Sequence, residues 1–381
     1  MIIGIDGNEA NIVSRVGVNQ YAFNLLWRIH KLQGEWKNKH KFLVYLKEKP
    51  LPDLPKPTNY FKYKVIPGGG AWIIRKLTPS LYKDKPRPDV FFTPSHYVPP
   101  FAPMPRVCAI MDLGYLEFSG QFKKSDFWQL KLWSAYSIFV SKAVISISTS
   151  TKDDILRHYP FASKKVFVTH LAYDKEMFNT SIPIDDVRRV KERYAIVSDY
   201  ILYLSTLKPS KNVEGLLEAF AILKQKDKVQ KTKLVITGKK GWLYESIFEK
   251  VKSLRLTQDV IFTDFIPELD KAPLIKGAKV FALPSFWEGF GLDALNAIAC
   301  GVPAVVANVG SLPEVVGDAG VKVDPYSVES IAKGISKVLS MGDMEYNKLI
   351  AKGLKQAAKF SWEETARKTI AILEKAKNGR I

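Results

Sequence analysis

Short apolar runs alternate along the chain with longer segments in which apolar residues recur at helical spacing. The short runs predict strands buried on both faces of a parallel sheet, and the longer segments predict helices with one buried face. Strand and helix in alternation are typical of a doubly wound α/β fold. We predict strands at residues 1–5, 42–46, 63–66, 90–93, 107–111, 143–147, 166–169, 201–205, 234–237, 260–263 and 280–283.

Two segments differ from this alternation. Residues 127–140 are apolar on nearly every helical face, which predicts a helix buried between layers. Residues 174–198 contain the charged stretch IDDVRRVKERY, which we interpret as a linker. Because 381 residues exceed what one core usually fills, we expect two domains, residues 1–178 and 179–360, followed by a terminal helix at 361–381.

The stretch KVFALPSFWEGFGLDALNAIACGVPAVVANVGSLPE, residues 279–314, predicts a strand, a glycine turn, a helix and a second strand. Gly289 and Gly291 allow the main chain to approach a bound group closely, and the helix from Leu292 presents free amides at its first turn. Such a helix N-terminus binds anions. The carboxylate of Glu288 would repel a phosphate, so a neutral hydroxylated group is its more natural partner.

The residues PSFWEGFGLDALNAIACGVPAVVANVGSLPEVVGDAG resemble the signature of the retaining, nucleotide-sugar-dependent glycosyltransferases of family 4. The resemblance implies the GT-B fold, an α/β fold in which two Rossmann-like doubly wound domains face each other across a cleft. The family pattern is Glu, seven residues, Glu; the first Glu holds hydroxyls of the donor sugar and the second holds the ribose. Glu288 stands at the first position and Asn296 at the second, where an amide can still hydrogen-bond a ribose hydroxyl.

Other motifs extend the resemblance to nearly the whole chain. In TLKPSKNVEGLL, Lys211 and Asn212 match the family's Arg-Lys-Asn, which neutralises the departing diphosphate; Ser210 replaces the Arg, and Lys208 is placed to compensate. The stretch GKKGW at 238–242 is similar to a motif of relatives that transfer mannose or similar hexoses. RVGVNQYAFNLL is similar to the first glycine loop, which contacts the donor phosphates.

The resemblance also assigns roles to individual residues. Asp112 follows a predicted strand at the place of the family's His-Asp pair, with Met111 in place of the His, and is a candidate on the acceptor side. The catalytic candidates are therefore Glu288, Lys211 and Asp112. The implied donor-binding residues are Gly17, Ser205, Thr206, Lys208, Lys211, Asn212, Gly238, Lys239, Phe265, Glu288, Gly289, Phe290, Gly291, Leu292 and Asn296.

The implied reaction moves a hexose from a nucleotide sugar, with GDP-mannose as one candidate, to a glycan or lipid-linked acceptor. We expect no metal and no further cofactor, since the family uses helix amides and basic side chains where other enzymes use Mg²⁺. The terminal helix would cross back onto the first domain. The departures at Asn296, Ser210 and Met111 leave open a sugar-nucleotide-binding protein of the same fold that has lost transfer.

Composition is that of a globular protein, with 46% hydrophobic and 25% charged residues. Without a basic leader or a long apolar run, the sequence predicts a cytoplasmic protein. Cys108 and Cys300 lie in apolar stretches and suggest core packing rather than a disulfide framework or a metal site.

The net charge of +19 is concentrated in the first half, where residues 1–180 hold 26 Lys and Arg against 14 Asp and Glu. This surplus implies an anionic partner, either nucleic acid, a phospholipid surface or an anionic acceptor. Nucleic acid is disfavoured because no helix-turn-helix, zinc or RNA-binding signature accompanies the charge. Residues 72–87 mix apolar and basic side chains, which indicates either a segment lying on an anionic membrane or a core helix with a basic rim.

Overall fold

The structure is a computed structural model that describes residues 1–36, 39–121, 123–225 and 229–379. It contains two compact units, Met1–Leu171 with Ser361–Ile381, and Ala172–Phe360. The first boundary falls seven residues before the expected one at residue 178. The reason is that the chain already packs on the second unit at Tyr173, whose pKa is raised by burial and by the nearby Cys300 of that unit.

The first unit is built on a parallel sheet in the order β3-β2-β1-β4-β5-β6-β7. Its elements are β1 (Ile2–Asp6), α1 (Val18–Lys31), α2 (Gln33–Trp36), β2 (Lys41–Leu46), β3 (Phe61–Val65), α3 (Thr78–Lys83), β4 (Val90–Thr93), β5 (Arg106–Ile110), α4 (Gly114–Glu117), α5 (Lys124–Val140), β6 (Ala143–Ser146), α6 (Thr149–His158) and β7 (Val166–Val168).

The second unit is built on a parallel sheet in the order β10-β9-β8-β11-β12-β13. Its elements are α7 (Ile184–Arg193), β8 (Tyr200–Leu204), α8 (Val213–Lys224), β9 (Lys233–Thr237), α9 (Glu245–Ser253), β10 (Val260–Asp264), α10 (Glu268–Lys276), β11 (Val280–Leu283), α11 (Leu292–Ala299), β12 (Ala304–Ala307), α12 (Leu312–Val316), β13 (Gly320–Val323), α13 (Val328–Leu339) and α14 (Asp343–Ala357).

The last helix, α15 (Trp362–Lys377), belongs to the first unit. Its Trp362 is buried against Tyr21 of α1, with ring centroids 6.3 Å apart. Its Glu374 lies 2.9 Å from the Nε2 atom of His40. A large buried aromatic and a paired carboxylate therefore hold α15 to the core of this unit.

The expected doubly wound α/β fold is confirmed in both units, because every strand pairing among the described residues is parallel. The burial of the inner strands explains why they appear in the sequence as short, continuous apolar runs. β4, β6, β8, β11 and β12 are buried at every position, as expected for strands covered by helices on both faces. Both cysteines are buried and unpaired with each other, as expected.

The prediction that residues 127–140 form a helix buried between layers is wrong in its placement. The segment is helical, as α5, but only Ser134, Ser137 and Ile138 are buried. Trp128, Leu132 and Phe139 are 54%, 63% and 70% exposed. Phe127, Leu130 and Val140 pack partly against the core, and the face with Trp128, Leu132 and Phe139 projects outward.

The interpretation of residues 174–198 as a linker is also wrong, because they include the helix α7. Val187 and Val190 are buried beneath it. The buried carboxylate of Asp270, on α10, accepts hydrogen bonds from Arg189 at 3.0 Å and Arg193 at 2.6 Å. Two of the charged residues in this segment, Arg189 and Arg193, therefore hold α7 on α10.

In the segment of residues 72–87, the structure favours the core helix with a basic rim. Trp72, Leu77 and Leu81 belong to a buried cluster with Tyr45, Phe91 and Met104. Those side chains are therefore not available to a membrane. No helix among the described residues is long and apolar enough to cross a bilayer.

The docking of α7 gives a stability prediction. Burial raises the pKa of Asp270, but hydrogen bonds from Arg189, Tyr194 and Arg193 outweigh it and hold the pKa below its ordinary value. Asp270→Ala removes these bonds and should lower the free energy of unfolding by about 2 to 3 kcal/mol in urea denaturation. The control is Asp185→Ala, which breaks an exposed ion pair with Arg188 on the same helix and should cost less than about 0.5 kcal/mol. Equal losses in both variants would contradict the docking role.

Candidate functional site

The candidate site lies at the carboxyl edge of the second unit's sheet. The strand order reverses between β8 and β11, which are neighbours in the sheet although two strands separate them in sequence. In open α/β sheets the loops leaving the strands at such a switch point diverge and leave a crevice for a ligand. The loops after β8, β9 and β11 therefore define the place where chemistry is expected, and most of the predicted site residues lie on them.

An ion pair joins the two loops at the switch point. The Nζ atom of Lys211, after β8, lies 2.6 Å from the Oε1 atom of Glu288, after β11. The side chains are only 12% and 11% exposed. The hydroxyl of Ser285 also donates to Glu288 Oε1 at 3.0 Å. The structure thus brings together the two residues that the sequence singled out as catalytic candidates in this half of the chain.

Hydrogen bonds to the main chain hold these loops in position. The side-chain NH₂ of Asn212 donates to the carbonyl of Pro284 at 3.0 Å and to that of Pro325 at 2.7 Å. The amide of Phe286 donates to the carbonyl of Ser210 at 2.9 Å. Both donor hydrogens of Asn212 are therefore used inside the protein, which makes it a positioning residue for Lys211. Its own backbone is in the left-handed region at φ 53°, which asparagine tolerates better than most residues.

The glycine turn after β11 is shaped as predicted. Gly291 has φ 89°, and a Cβ at this position would lie 2.5 Å from Leu312 Cδ2, so no other residue fits. It precedes α11, whose Ala294 amide donates to the Gly291 carbonyl at 3.1 Å. The amides of the preceding residues, including that of Leu292, belong to the first turn, where an α-helix offers no carbonyl partner. Phe290 is buried edge-on against Phe360, and Gly289 is partly buried.

The loop after β9 comes against the loop after β8. Gly238 has φ 152°, and an added Cβ would lie 1.8 Å from the carbonyl oxygen of Ser205. Thr206 and the exposed Lys239 lie on these adjoining loops, where the amide of Leu207 donates to the Lys239 carbonyl at 2.9 Å. The Gly238 backbone can therefore pass Ser205 only because it has no side chain.

The remaining predicted residues of this unit are Lys208, Phe265 and Asn296. The ammonium of Lys208 lies 4.9 Å from the ring centroid of Trp242. Phe265 follows β10 and is half-exposed. Asn296 is buried on α11, and its Oδ1 atom has no hydrogen-bond partner among the described residues. A buried unpaired oxygen is costly, so Asn296 fits a position that a ligand hydroxyl completes.

Gly17 and Asp112 lie in the first unit, on its own carboxyl edge. Gly17 has φ 51° and precedes α1; an added Cβ there would meet nothing within 4 Å. Asp112 follows β5, is exposed, and accepts a hydrogen bond from the Gly114 amide at 2.9 Å. Both residues thus occupy loops that leave the strands in the direction expected for chemistry.

The sequence analysis missed Asp293, in the first turn of α11. Burial raises the pKa of Asp293 to about 6, Glu288 and Glu268 act in the same direction, and Lys271 and Lys211 oppose them. The electrostatic field of Glu288 and Asp293 also adds to the effect of burial in raising the pKa of Tyr203. The only sequence signal was an acid in the first turn of a helix, which is common at ordinary helix ends.

His96 was also missed, since it follows β4 in the first unit without any motif. Burial lowers the pKa of His96 to about 4, so its imidazole is neutral at physiological pH. Its Nε2 atom is buried without a hydrogen-bond partner among the described residues, and its ring packs on Tyr97 with centroids 4.1 Å apart. A neutral imidazole with an unpaired nitrogen is a further candidate on the acceptor side.

No group of three or more His, Cys, Asp or Glu side chains in the described part of the chain is arranged to hold a metal ion. The positive groups at the second unit's edge include Lys211, Lys208, Lys239 and the amides of the α11 first turn. The described site therefore offers lysines and main-chain donors for an anionic ligand, and Glu288 and Asn296 for hydroxyl groups.

Comparisons with known proteins agree with this geometry. Residues 189–356 match the family described as glycosyl transferases group 1. The chain is 28% identical over 343 residues to O-antigen chain mannosyltransferase B of Escherichia coli, covering 90% of this chain and 84% of that protein. It is 31% identical over 226 residues to the serotype-specific mannosyltransferase WbdA of Escherichia coli, but covers only 28% of that longer relative.

The fold has close structural counterparts. Sucrose-phosphate synthase from Thermosynechococcus elongatus superposes with a TM-score of 0.77 at 18% identity, and the match covers 99% of both chains. The expected GT-B class is thereby confirmed. The chain therefore has a GT-B fold, and its residues 189–356, which carry the switch-point site, are similar to glycosyl transferases group 1.

Proposed function

We propose that the protein is a retaining hexosyltransferase that moves mannose from GDP-mannose to a glycan or lipid-linked acceptor. The observation that carries the proposal is the Lys211–Glu288 ion pair beside the first turn of α11. The choice of mannose is supported by the names of the relatives that match over most or part of this chain. We keep the expectation of a cytoplasmic protein, located where such an acceptor meets the membrane.

The ion pair suggests how a donor would be received. A nearly buried ammonium and carboxylate 2.6 Å apart neutralise each other, because an unpaired charge there would be costly. A diphosphate placed at the α11 amides would offer Lys211 a stronger anionic partner. Glu288 would then be released to accept hydrogen bonds from hydroxyls of the transferred sugar, and Asn296 would accept one from the ribose.

The same residues would act as the bond to the sugar breaks. Negative charge develops on the leaving diphosphate, and the α11 amides with Lys211 would stabilise it without rearrangement. Retention follows if the acceptor hydroxyl attacks from the face that the diphosphate leaves, with the diphosphate taking the acceptor proton. This route needs neither a covalent nucleophile nor a metal.

The separate roles of Lys211 and Glu288 can be tested by transfer kinetics and calorimetry. Lys211→Met should weaken GDP-mannose binding and lower kcat/KM by about 100-fold or more, because a group that stabilises the leaving charge is lost. Glu288→Gln should lower kcat/KM by a similar factor, but its affinity for GDP-mannose should stay within about threefold of that of the unaltered protein. The reason is that the substitution also frees Lys211 to bind the phosphates.

The matched control is the ion pair Lys250–Glu218 of the same unit, changed to Lys250→Met and Glu218→Gln, which should leave transfer unchanged. Near-normal transfer in both site variants would refute these roles. Donor binding without transfer in the unaltered protein, over a range of glycan and lipid-linked acceptors, would favour the sugar-nucleotide-binding alternative.

The donor itself can be identified by thermal shift. A ligand that binds only the folded protein raises the midpoint with the logarithm of its concentration. We expect GDP-mannose to stabilise the protein more than UDP-glucose or ADP-glucose at equal concentration. A larger shift with one of the others would keep the reaction class and change the donor.

Asp293 gives a pH prediction for donor binding. With its pKa raised to about 6, it is mainly a carboxylate at pH 7.5 and mainly neutral at pH 5.5. A neutral side chain repels the diphosphate less, so GDP-mannose should bind about three- to tenfold more tightly at pH 5.5. Asp293→Asn should remove this dependence, whereas Asp318→Asn, an exposed acid of the same unit, should keep it. A flat pH profile in the unaltered protein would contradict the assignment.

A further inference from the structure

The outer face of α5 carries an apolar stripe that the core does not use. Trp128, Leu132 and Phe139 fall within an arc of about 40° on the helical wheel and extend over about 16 Å along the helix. All three are more than half exposed. Phe161, 55% exposed on the turn before β7, extends the stripe, with its ring centroid 5.9 Å from that of Phe139.

Lysines border this stripe. Lys123, Lys124, Lys142 and Lys164 are exposed, and none of them forms an ion pair with another residue that the structure describes. Lys131 lies over the ring of Trp128, 5.0 Å from its centroid, and Lys165 lies over that of Phe161, 5.5 Å away. Residues 123–142 contain four lysines and a single acid, Asp126. The surface therefore has an uncompensated positive charge.

Together these features fit one kind of partner. A helix face with Trp, Leu and Phe along its centre and lysines at its border lies in the plane of an anionic bilayer, with the rings among the acyl chains and the ammonium groups at the phosphates. A nucleic acid would use the lysines but would leave the central Leu132 and Phe139 exposed to water. A protein partner would need to be both apolar in the centre and acidic around it.

We propose that the outer face of α5, with Phe161, binds the surface of an anionic phospholipid membrane. This places membrane contact at residues 123–142 and 161–165, not at residues 72–87. The inference is compatible with the proposed lipid-linked acceptor but does not depend on transfer, because membrane binding requires neither donor nor reaction.

The test is sedimentation of the full chain with phosphatidylcholine vesicles, with and without phosphatidylglycerol. The unaltered protein should bind the anionic vesicles, and binding should weaken as salt rises. The stripe variant Trp128→Ser/Leu132→Ser/Phe139→Ser should bind at least about tenfold more weakly. The variant Lys123→Gln/Lys124→Gln/Lys142→Gln should lose the preference for anionic vesicles.

The matched control is Val197→Ser/Leu269→Ser/Met344→Ser, which removes three still more exposed apolar side chains from the second unit and should bind as the unaltered protein does. An unchanged thermal midpoint of the stripe variant would show that it still folds. The proposal fails if the unaltered protein does not bind vesicles or if the stripe variant binds equally well.

Two further outcomes would also overturn it. If the stripe variant abolishes self-association in sedimentation velocity without changing vesicle binding, the face belongs to a second copy of the chain. If duplex DNA competes with the vesicles and binds the stripe variant normally, the lysines serve a nucleic acid. Transfer to a water-soluble acceptor, measured in parallel, separates failure of this proposal from failure of the proposed reaction.

Discussion

The site depends on the adjacency of β8 and β11 in a parallel sheet. These strands are distant in sequence, yet their hydrogen-bonded pairing places the loop that carries Lys211 beside the loop that carries Glu288. Asn212 fixes the distance between those loops, because its two amide hydrogens are bound to the carbonyls of Pro284 and Pro325. The hydrogen bond from the Phe286 amide to the Ser210 carbonyl links the same two loops a second time.

The site combines groups that attract an anion with carboxyl groups that repel one. Lys211 and the first turn of α11 attract an anion, while Glu288 and Asp293 oppose it. Opposite charges held at 2.6 Å satisfy each other, so neither is left as an unpaired charge in this nearly buried place. A ligand that supplies both phosphates and hydroxyls is the kind that can replace this pairing on both sides.

The helix α5 shows how composition and burial can diverge. Its apolar content predicted a buried element, but burial was achieved by the small side chains Ser134 and Ser137 and by Ile138. Serine hydroxyls can face the core because they find partners there, as Ser137 does with the carbonyl of His96. Trp128, Leu132 and Phe139 lie on the surface, and their combination with lysines gives this face its chemistry.

The sequence by itself determined the doubly wound class, the interior strands and the glycine turn with Glu288 and Gly291, because these follow from local rules: continuous apolar runs and backbone angles open only to glycine. Only the tertiary structure decided that Asp270 binds α7 and that Asn212 hydrogen-bonds the loop after β11. It also decided that the pKa of Asp293 is raised and that the outer face of α5 is exposed. The physical reason is that burial, charge pairing and the direction a helix faces are set by residues far apart in the chain. A pattern read along the sequence reports which residues can be buried, but packing decides which of them are.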